Sequence, residues 1–260
     1  MKYYIVDAFS ERIFAGNQAG VCLAEKDLSP DIMQSIAAEN NLAETAFIAR
    51  RGDDYDLRWF TPEMEIDLCG HATLASAFVV FNFVDRQVDT VNFRTQSGVL
   101  TVVRKDDLLE MDFPSRPPQP VPVTPLMSAS IGAPVLEAHI SRDLLLLVES
   151  EEAVRSLAPN MELIKTIPEV LGVVVTAPGQ TCDFVSRFFA PSVDSLSPED
   201  PVTGSTHCNL IPFWSARLGR TELLARQLSK RGGTLFCRDC GQRVKIAGRA
   251  ALYLTGEIKL

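Results

Sequence analysis

The sequence of 260 residues lacks several features that define a function class on their own. No apolar run reaches the roughly 18 residues that a membrane-spanning helix needs, and residues 1–7 do not resemble the apolar part of a signal peptide. The 25 basic residues are outnumbered by 33 acidic ones, and a net charge of −8 does not suit a broad surface for nucleic acid or anionic lipid. We therefore expect a cytoplasmic protein with neither a nucleic-acid nor a membrane partner.

Histidine is scarce, and cysteine is not clustered. The three histidines are His71, His139 and His207, and the six cysteines include one close pair, Cys237 and Cys240. A structural zinc site normally has four ligands, and no second cysteine pair or histidine stands at that spacing. We expect free thiols in a cytosolic chain of this size, and no metal at this pair.

An internal repeat divides the chain. The run RWFTP at 58–62 recurs as RFFAP at 187–191, and each is followed by a glycine turn, CGHAT at 69–73 and TGSTH at 203–207. Equivalent glycines are offset by 134 residues from Gly70 to Gly204 and by 135 from Gly98 to Gly233, which indicates a duplicated domain. Six prolines between 114 and 125 predict an extended linker and give halves of 1–115 and 120–260. The sequence leaves open whether the last strand returns to the first half.

Short strands dominate the predicted secondary structure. A helix is expected from Ser29–Pro30, a second follows Gly70 and is apolar almost all round, and a third follows Gly204 and ends at Gly219. The predicted strands are 3–8, 46–50, 99–104, 108–113, 144–149, 171–177 and 251–258. Because strict βαβ alternation is absent, we predict two sheet-rich halves, each around one buried helix.

The two glycine turns are candidate anion sites. A helix that begins at such a turn exposes free backbone N–H groups at the positive end of its dipole, where a carboxylate or phosphate binds. Gly70 and Gly204 therefore either bind an anionic substrate or serve only for close packing.

Glu44 and His71 are the candidate acid and base groups of the first half. Glu44 lies between a helix and a strand among apolar neighbours, and partial desolvation suits a carboxylate that both takes and returns a proton. His71, in the first helical turn, is expected to be neutral there and could relay a proton or donate to a substrate oxygen. A rim carboxylate and a capping histidine explain the local patterns as well.

Asp200 and Ser205 are the candidates of the second half. Asp200, before the second glycine turn, could orient His71 or a substrate amine, or could simply form a turn before Pro201. Ser205 could donate both its N–H and its hydroxyl to a carboxylate, or could be an ordinary serine at a helix start.

These motifs resemble those of the phenazine biosynthesis-like (PhzF) isomerases. The matching runs follow one another along nearly the whole chain: DAF at 7–9, FAGN at 14–17, AETAF at 43–47, CGHAT at 69–73, MDFP at 111–114, EDPVTGS at 199–205 and VKIAG at 244–248. The resemblance implies an α+β, diaminopimelate epimerase-like fold of two pseudo-symmetric domains, each a curved, mostly antiparallel sheet around a central helix. It also implies a homodimer, no cofactor and a small carboxylate-bearing substrate.

The resemblance further implies a role for each candidate residue. The family's best-understood member isomerises a dihydro-hydroxyanthranilate. One glutamate of that enzyme moves a proton between two ring carbons of the substrate. The implied catalytic residues are Glu44 as general base and acid, assisted by His71, Asp200 and Ser205. The implied substrate-binding residues are Asn17, Gly70, Thr73 and Gly204.

Two departures from the family pattern keep alternatives open. Gln18 stands where the family usually has proline, so the loop at Asn17 is expected to differ. Related epimerases use two thiols, one per half, whereas the repeat aligns Cys69 with Thr203. An amino- or hydroxy-acid racemase is therefore disfavoured but remains an alternative, as does a ligand-binding relative without catalysis.

Overall fold

The computed structural model describes residues 1–193 and 198–260, which form two compact units. The first unit comprises residues 1–112 with 247–260, and the second comprises residues 113–246. The second unit thus ends at residue 246 and not at 260, because the last strand pairs with the first strand of the chain. No helix in the described ranges is long and apolar enough to cross a membrane.

The first unit contains nine of the described strands and two helices, all numbered here in chain order. The strands are β1 (Lys2–Ala8), β2 (Asn17–Leu23), β3 (Glu44–Arg51), β4 (Asp54–Phe60), β5 (Glu65–Ile66), β6 (Thr90–Thr95), β7 (Gly98–Lys105), β8 (Leu108–Pro114), whose end reaches the second unit, and β18 (Ala250–Glu257). The helices are α1 (Pro30–Asn40) and α2 (Gly70–Val79), and α2 continues as a π-helical turn, Val80–Val84. Strand β1 pairs antiparallel with β18 and β2, and β2 pairs parallel with β3. Strand β4 pairs antiparallel with β3 and β5 and parallel with β6, and β6–β7–β8 is antiparallel.

The second unit repeats this connectivity. Its strands are β9 (Gln119–Val121), β10 (Glu137–Ile140), β11 (Leu144–Leu147), β12 (Val173–Pro178), β13 (Phe184–Phe189), β14 (Glu199–Asp200), β15 (Glu222–Gln227), β16 (Gly233–Asp239) and β17 (Arg243–Gly248). Its helices are α3 (Pro125–Ile131), α4 (Glu151–Arg155), α5 (Met161–Lys165) and α6 (His207–Leu218). Strand β10 pairs antiparallel with β9 and β11, β11–β12 is parallel, and β13 pairs antiparallel with β12 and β14 and parallel with β15. The order of parallel and antiparallel pairs matches that of the first unit, so the predicted α+β fold of two pseudo-symmetric halves is confirmed.

The central helix of the first unit is buried as predicted. Every residue of α2 except Phe78 is buried, and the helix packs against β1, β2 and β3. A helix without a polar face has no stable solvent-exposed orientation, so its sequence alone commits it to the core.

The central helix of the second unit begins later than its glycine turn predicts. The N–H of His207 donates to the carbonyl of Gly204, and the N–H of Cys208 to that of Ser205, so a tight turn with three-residue spacing precedes α6. The helix ends at Gly219, whose φ of 68° is the left-handed C-cap that the sequence predicts.

The repeated arginine makes the same contacts in each unit. Arg58 forms two hydrogen bonds with Glu65, at 2.6 and 2.7 Å, and Arg187 forms two with Glu199, at 2.7 and 2.9 Å. Each guanidinium also lies over the ring of the phenylalanine two residues later. These bidentate pairs fix the short strand that precedes each glycine turn.

Candidate active site

The loop between β1 and β2 places Asn17 at the start of β2. The buried carboxylate of Asp7 accepts the N–H of Phe14 at 2.9 Å, which closes the loop. Gly16 has a φ of +67°, and a Cβ there would lie 2.2 Å from the carbonyl oxygen of Ala8, so only glycine fits. The DAF and FAGN motifs together therefore hold Asn17 in position.

Four side chains of the first unit meet, and we call them the Glu44 cluster: Asn17, Glu44, Cys69 and His71. Glu44 is the first residue of β3, next to β2, and its side chain is 18% exposed. The buried His71 is the second residue of α2. Its Nε2 lies 3.0 Å from Glu44 Oε2, and its Nδ1 lies 3.0 Å from Asn17 Nδ2.

The hydrogen bond from Asn17 defines the tautomer of His71. When the ring is neutral, the Asn17 amide N–H donates to Nδ1 and the ring proton is at Nε2, on the side of Glu44. Burial lowers the pKa of His71, but Cys69 and Glu44 outweigh it and raise the pKa well above its ordinary value. Because burial raises the pKa of the Cys69 thiol, that thiol is neutral, and the charge favouring the imidazolium is that of Glu44.

The two carboxylate oxygens of Glu44 differ in their surroundings. Oε2 is buried against His71, although no donor within the described ranges is well aligned to it. Oε1 has no hydrogen-bond partner in residues 1–193 and 198–260. Oε1 is thus the oxygen of Glu44 that remains available to a substrate.

Cys69 lies beside the same histidine ring. Glu44, Cys69 and His71 are the one group of three potential metal ligands in the described part of the chain. The Cys69 sulfur lies 3.5 Å from His71 Nδ1 and 4.0 Å from Nε2, and Glu44 Oε2 lies 3.0 Å from Nε2. The expectation that the protein holds no metal stays a prediction from the sequence.

The two remaining predicted residues of the first unit belong to the start of α2. Thr73 is fully buried, and both its hydroxyl and its N–H donate to the carbonyl of Cys69. Its side chain thus closes the first helical turn, and its predicted contact with substrate stays a prediction. Gly70 is the first residue of α2, where backbone N–H groups have no intrahelical acceptor.

Ser205 lies in a polar cluster of the second unit. We call Arg142, Asp143, Ser205 and Asn209 the Ser205 cluster. Arg142 Nη2 donates to Ser205 Oγ at 2.8 Å, and its Nε donates to Asp143 Oδ1 at 3.3 Å. Asp143 is fully buried and also accepts from Asn209 Nδ2 at 3.2 Å.

Asp200 and Gly204 precede Ser205 along the chain of the second unit. Asp200 is half-buried in β14, opposite Phe188, and its carbonyl accepts from Gln227 Nε2 at 2.7 Å. The same glutamine accepts the N–H of Thr203 at 2.8 Å, which secures the strand that leads to Gly204. Gln227 thus fixes the segment that carries Asp200 and Gly204, and the predicted roles of these two residues toward a substrate stay predictions.

His207 occupies the position in the second unit that Thr73 occupies in the first. Its Nδ1 lies 2.7 Å from the carbonyl of Thr203, four residues earlier, as Thr73 bonds to the carbonyl of Cys69. His207 is fully buried, and burial lowers its pKa to about 4. The ring is therefore neutral and structural. Thr203, the counterpart of Cys69, provides no second thiol.

The sequence did not single out Arg142, Asp143 or Asn209. Residues 141–143 form the turn between β10 and β11, and a charged turn looks ordinary in a sequence. Asn209 is the residue that the sequence could have indicated, because it is a polar residue in a largely apolar helix, and it is buried in the structure.

A separate recess lies at the far end of β3 from Glu44. It has a volume of about 360 Å³ and is lined by residues that include Leu23, Arg50 and Tyr55. No member of the Glu44 cluster lines it, so this recess is not part of the candidate active site. Of the cysteine pair, Cys237 is buried while Cys240 is exposed.

Comparison with known proteins identifies the family. The family described as phenazine biosynthesis-like protein matches residues 6–256. An uncharacterized isomerase of Pseudomonas aeruginosa is 48% identical over 100% of this chain and 99% of its own. A crystal structure of a PhzF family protein from Enterococcus faecalis has a TM-score of 0.97 and 48% identity, covering 100% of this chain and 99% of that one.

A more distant likeness concerns the fold alone. A predicted epimerase from Pseudomonas aeruginosa matches with a TM-score of 0.75 at 19% identity, over 99% of this chain and 98% of its own. The epimerase-like architecture implied by the sequence motifs is thereby confirmed. The chain belongs to the phenazine biosynthesis-like family, and it is an isomerase.

Proposed function

We propose that the chain moves a proton between two carbon atoms of a small carboxylate-bearing substrate without a cofactor, with Glu44 as both base and acid. The observation that carries this proposal is the difference in surroundings between the two carboxylate oxygens of Glu44. Oε2 is held against His71 at 3.0 Å, whereas Oε1 has no partner in the described ranges. A base needs one fixed and one available oxygen to meet a C–H bond in a defined direction.

The reaction conserves all atoms. Glu44 Oε1 takes a proton from one carbon, and the C–H electron pair enters the conjugated system of the substrate. The carboxylic acid so formed returns the proton to a second carbon, a double bond shifts, and Glu44 is again ionised. The product is an isomer, as the family's activity requires.

His71 positions Glu44 and stabilises its charge. Its Nε2 lies 3.0 Å from Glu44 Oε2, and Asn17 Nδ2 lies 3.0 Å from Nδ1 at the other side of the ring. The ionised Glu44 carboxylate raises the pKa of the His71 ring, and this effect is lost when Glu44 takes the substrate proton.

The roles of the other predicted residues stay predictions from the sequence. The resemblance to the family implies substrate-binding amides at Gly70 and Gly204 and assisting roles for Asp200 and Ser205. The homodimer and the cytoplasmic location remain predictions from the sequence, and light scattering on the purified protein measures the first of them.

The experiment begins with a search for exchange. The protein is incubated in heavy water with a panel of cyclic and linear amino and hydroxy acids, and deuterium uptake is located by NMR. Uptake at one carbon with migration of a double bond supports the isomerase. Uptake at a stereocentre with inversion and no migration replaces it with the racemase alternative.

A matched pair of variants assigns the base. Glu44→Gln removes the charge and retains the shape, and Glu39→Gln makes the same change on the exposed face of α1. Loss of exchange in the first variant alone supports the assignment. Equal exchange in both variants removes Glu44 from the mechanism.

A further inference from the structure

The Ser205 cluster holds hydrogen-bond donors that the protein itself does not use. Arg142 donates through Nε and Nη2, while its Nη1 has no partner within residues 1–193 and 198–260. Ser205 Oγ accepts from Arg142, so its own proton points elsewhere, and no acceptor for it lies in those ranges. The Arg142 side chain is 28% exposed and Ser205 is half-buried, so both can be reached by a ligand.

The guanidinium is held in place from behind. Asp143 is fully buried and accepts from Arg142, and Asn209 of α6 secures the same carboxylate. Asn209 in turn accepts the hydroxyl of Ser141 at 3.4 Å. A donor fixed before binding loses little entropy when a ligand arrives, which is the condition for selective recognition.

Positive charge exceeds negative charge around this point. Arg116 donates its backbone N–H to the carbonyl of Cys208, and its half-buried guanidinium has no partner in the described part of the chain. The charges of Arg116 and Arg142 both act on the Cys208 thiol, and the carboxylate of Asp143 opposes them. In a chain with a net charge of −8, such a local excess favours an anionic ligand.

We propose that Arg142 is a substrate-contacting residue, whose Nη1 N–H groups and the adjacent Ser205 hydroxyl bind a carboxylate of the substrate. A planar guanidinium presents parallel N–H donors that match the two oxygens of a carboxylate. The identity of the ligand as substrate rests on the proposed function. The binding itself does not depend on Glu44.

Arg142 thereby determines specificity. A carboxylate meets a fixed cation and a hydroxyl donor, whereas the corresponding amide would leave the guanidinium without a counter-charge at the contact. The isomerase should therefore discriminate between an acid and its amide, and the loss of Arg142 should reduce that discrimination.

Binding of malonate, followed by isothermal titration calorimetry, tests the proposal. Because Arg142→Gln alone leaves Asp143 buried without its ion pair, the main variant is the double change Arg142→Gln with Asp143→Asn. The matched control is Arg217→Gln, which breaks an exposed ion pair with Glu137 in the same unit. We expect the Kd for malonate to rise about tenfold or more in the double variant and to stay unchanged in the control.

The remaining arms decide the chemistry of the ligand. Arg142→Lys should recover part of the affinity, because charge is restored without the planar fork. An unchanged Kd in a folded double variant overturns the proposal, and inorganic phosphate binding more tightly than malonate overturns the assignment to a carboxylate. Glu44→Gln should bind malonate as the wild type does, so a failed base assignment and a failed binding site give different results.

Discussion

The buried His207 should make the second unit sensitive to acid. Its pKa is lowered by burial to about 4 from an ordinary value of 6.5. As the pH falls below 6.5, His207 is protonated in the unfolded chain but stays neutral in the folded chain. The free energy of unfolding therefore decreases between pH 6.5 and pH 4. Linkage gives a loss of about 2 kcal/mol by pH 5 and about 3 kcal/mol by pH 4, since each pKa unit corresponds to about 1.4 kcal/mol.

Tryptophan fluorescence during urea unfolding measures this loss. Trp214 stacks on Phe184, whose ring centroid lies 5.9 Å from that of His207, so Trp214 reports on the right part of the unit. The Trp59→Phe background removes the buried tryptophan of the first unit. Free energies of unfolding are compared at pH 7.5 and pH 5 with and without His207→Asn, which keeps an N–H donor but does not titrate.

The comparison isolates His207 from other acid effects. Carboxylates that titrate on unfolding contribute equally to both proteins, so only the difference between the two pH slopes is assigned to the histidine. We expect the His207→Asn protein to be less stable at pH 7.5 but to lose about 2 kcal/mol less on acidification to pH 5. Identical losses in the two proteins would refute the assignment of a neutral, buried imidazole.

Three further changes probe the first unit. Cys69→Ala should leave isomerase exchange within about threefold of wild type, because a neutral thiol without a counterpart in the second unit does not act as a base; loss of activity in the folded variant would return the two-thiol mechanism to consideration. Gly16→Ala should lower stability by at least about 2 kcal/mol in urea unfolding, because its Cβ would meet Ala8 O at 2.2 Å, and an unchanged midpoint would contradict the close approach of these two residues. Asn17→Asp should raise the NMR titration midpoint of the His71 ring, because a second carboxylate favours the imidazolium, and an unmoved midpoint would exclude the contact at Nδ1.

The repeat and the central helix were predictable because they depend on local pattern. A helix that is apolar almost all round, such as the one after Gly70, is stable only when it is buried. An offset repeated at two pairs of glycines implies that the order of elements is duplicated. The meeting of Glu44 with His71 was implied only by the resemblance to the family. Residues 27 positions apart are brought together by the packing of α2 against β2 and β3, which no short motif encodes.

Several contacts of the candidate site depend on hydrogen bonds that no sequence motif shows. The Thr73 hydroxyl donates to the carbonyl four residues earlier, a local hydrogen bond that threonine side chains form within helices. Arg142 was missed because its partner Ser205 lies 63 residues away, and contacts of that range depend on the completed sheet. Similarly, the last strand could be placed in the first unit only through its register with β1.

The rate of proton exchange in the Glu44→Gln protein decides whether Glu44 is the base. It is measured on the substrate that the panel identifies, beside wild type and Glu39→Gln, with circular dichroism and urea unfolding as evidence that the variant is folded. We predict a loss of about 100-fold to 10,000-fold in Glu44→Gln and none in Glu39→Gln, the range that general acid–base catalysis contributes. A folded Glu44→Gln protein that exchanges protons at the wild-type rate would contradict the role of Glu44 in proton transfer.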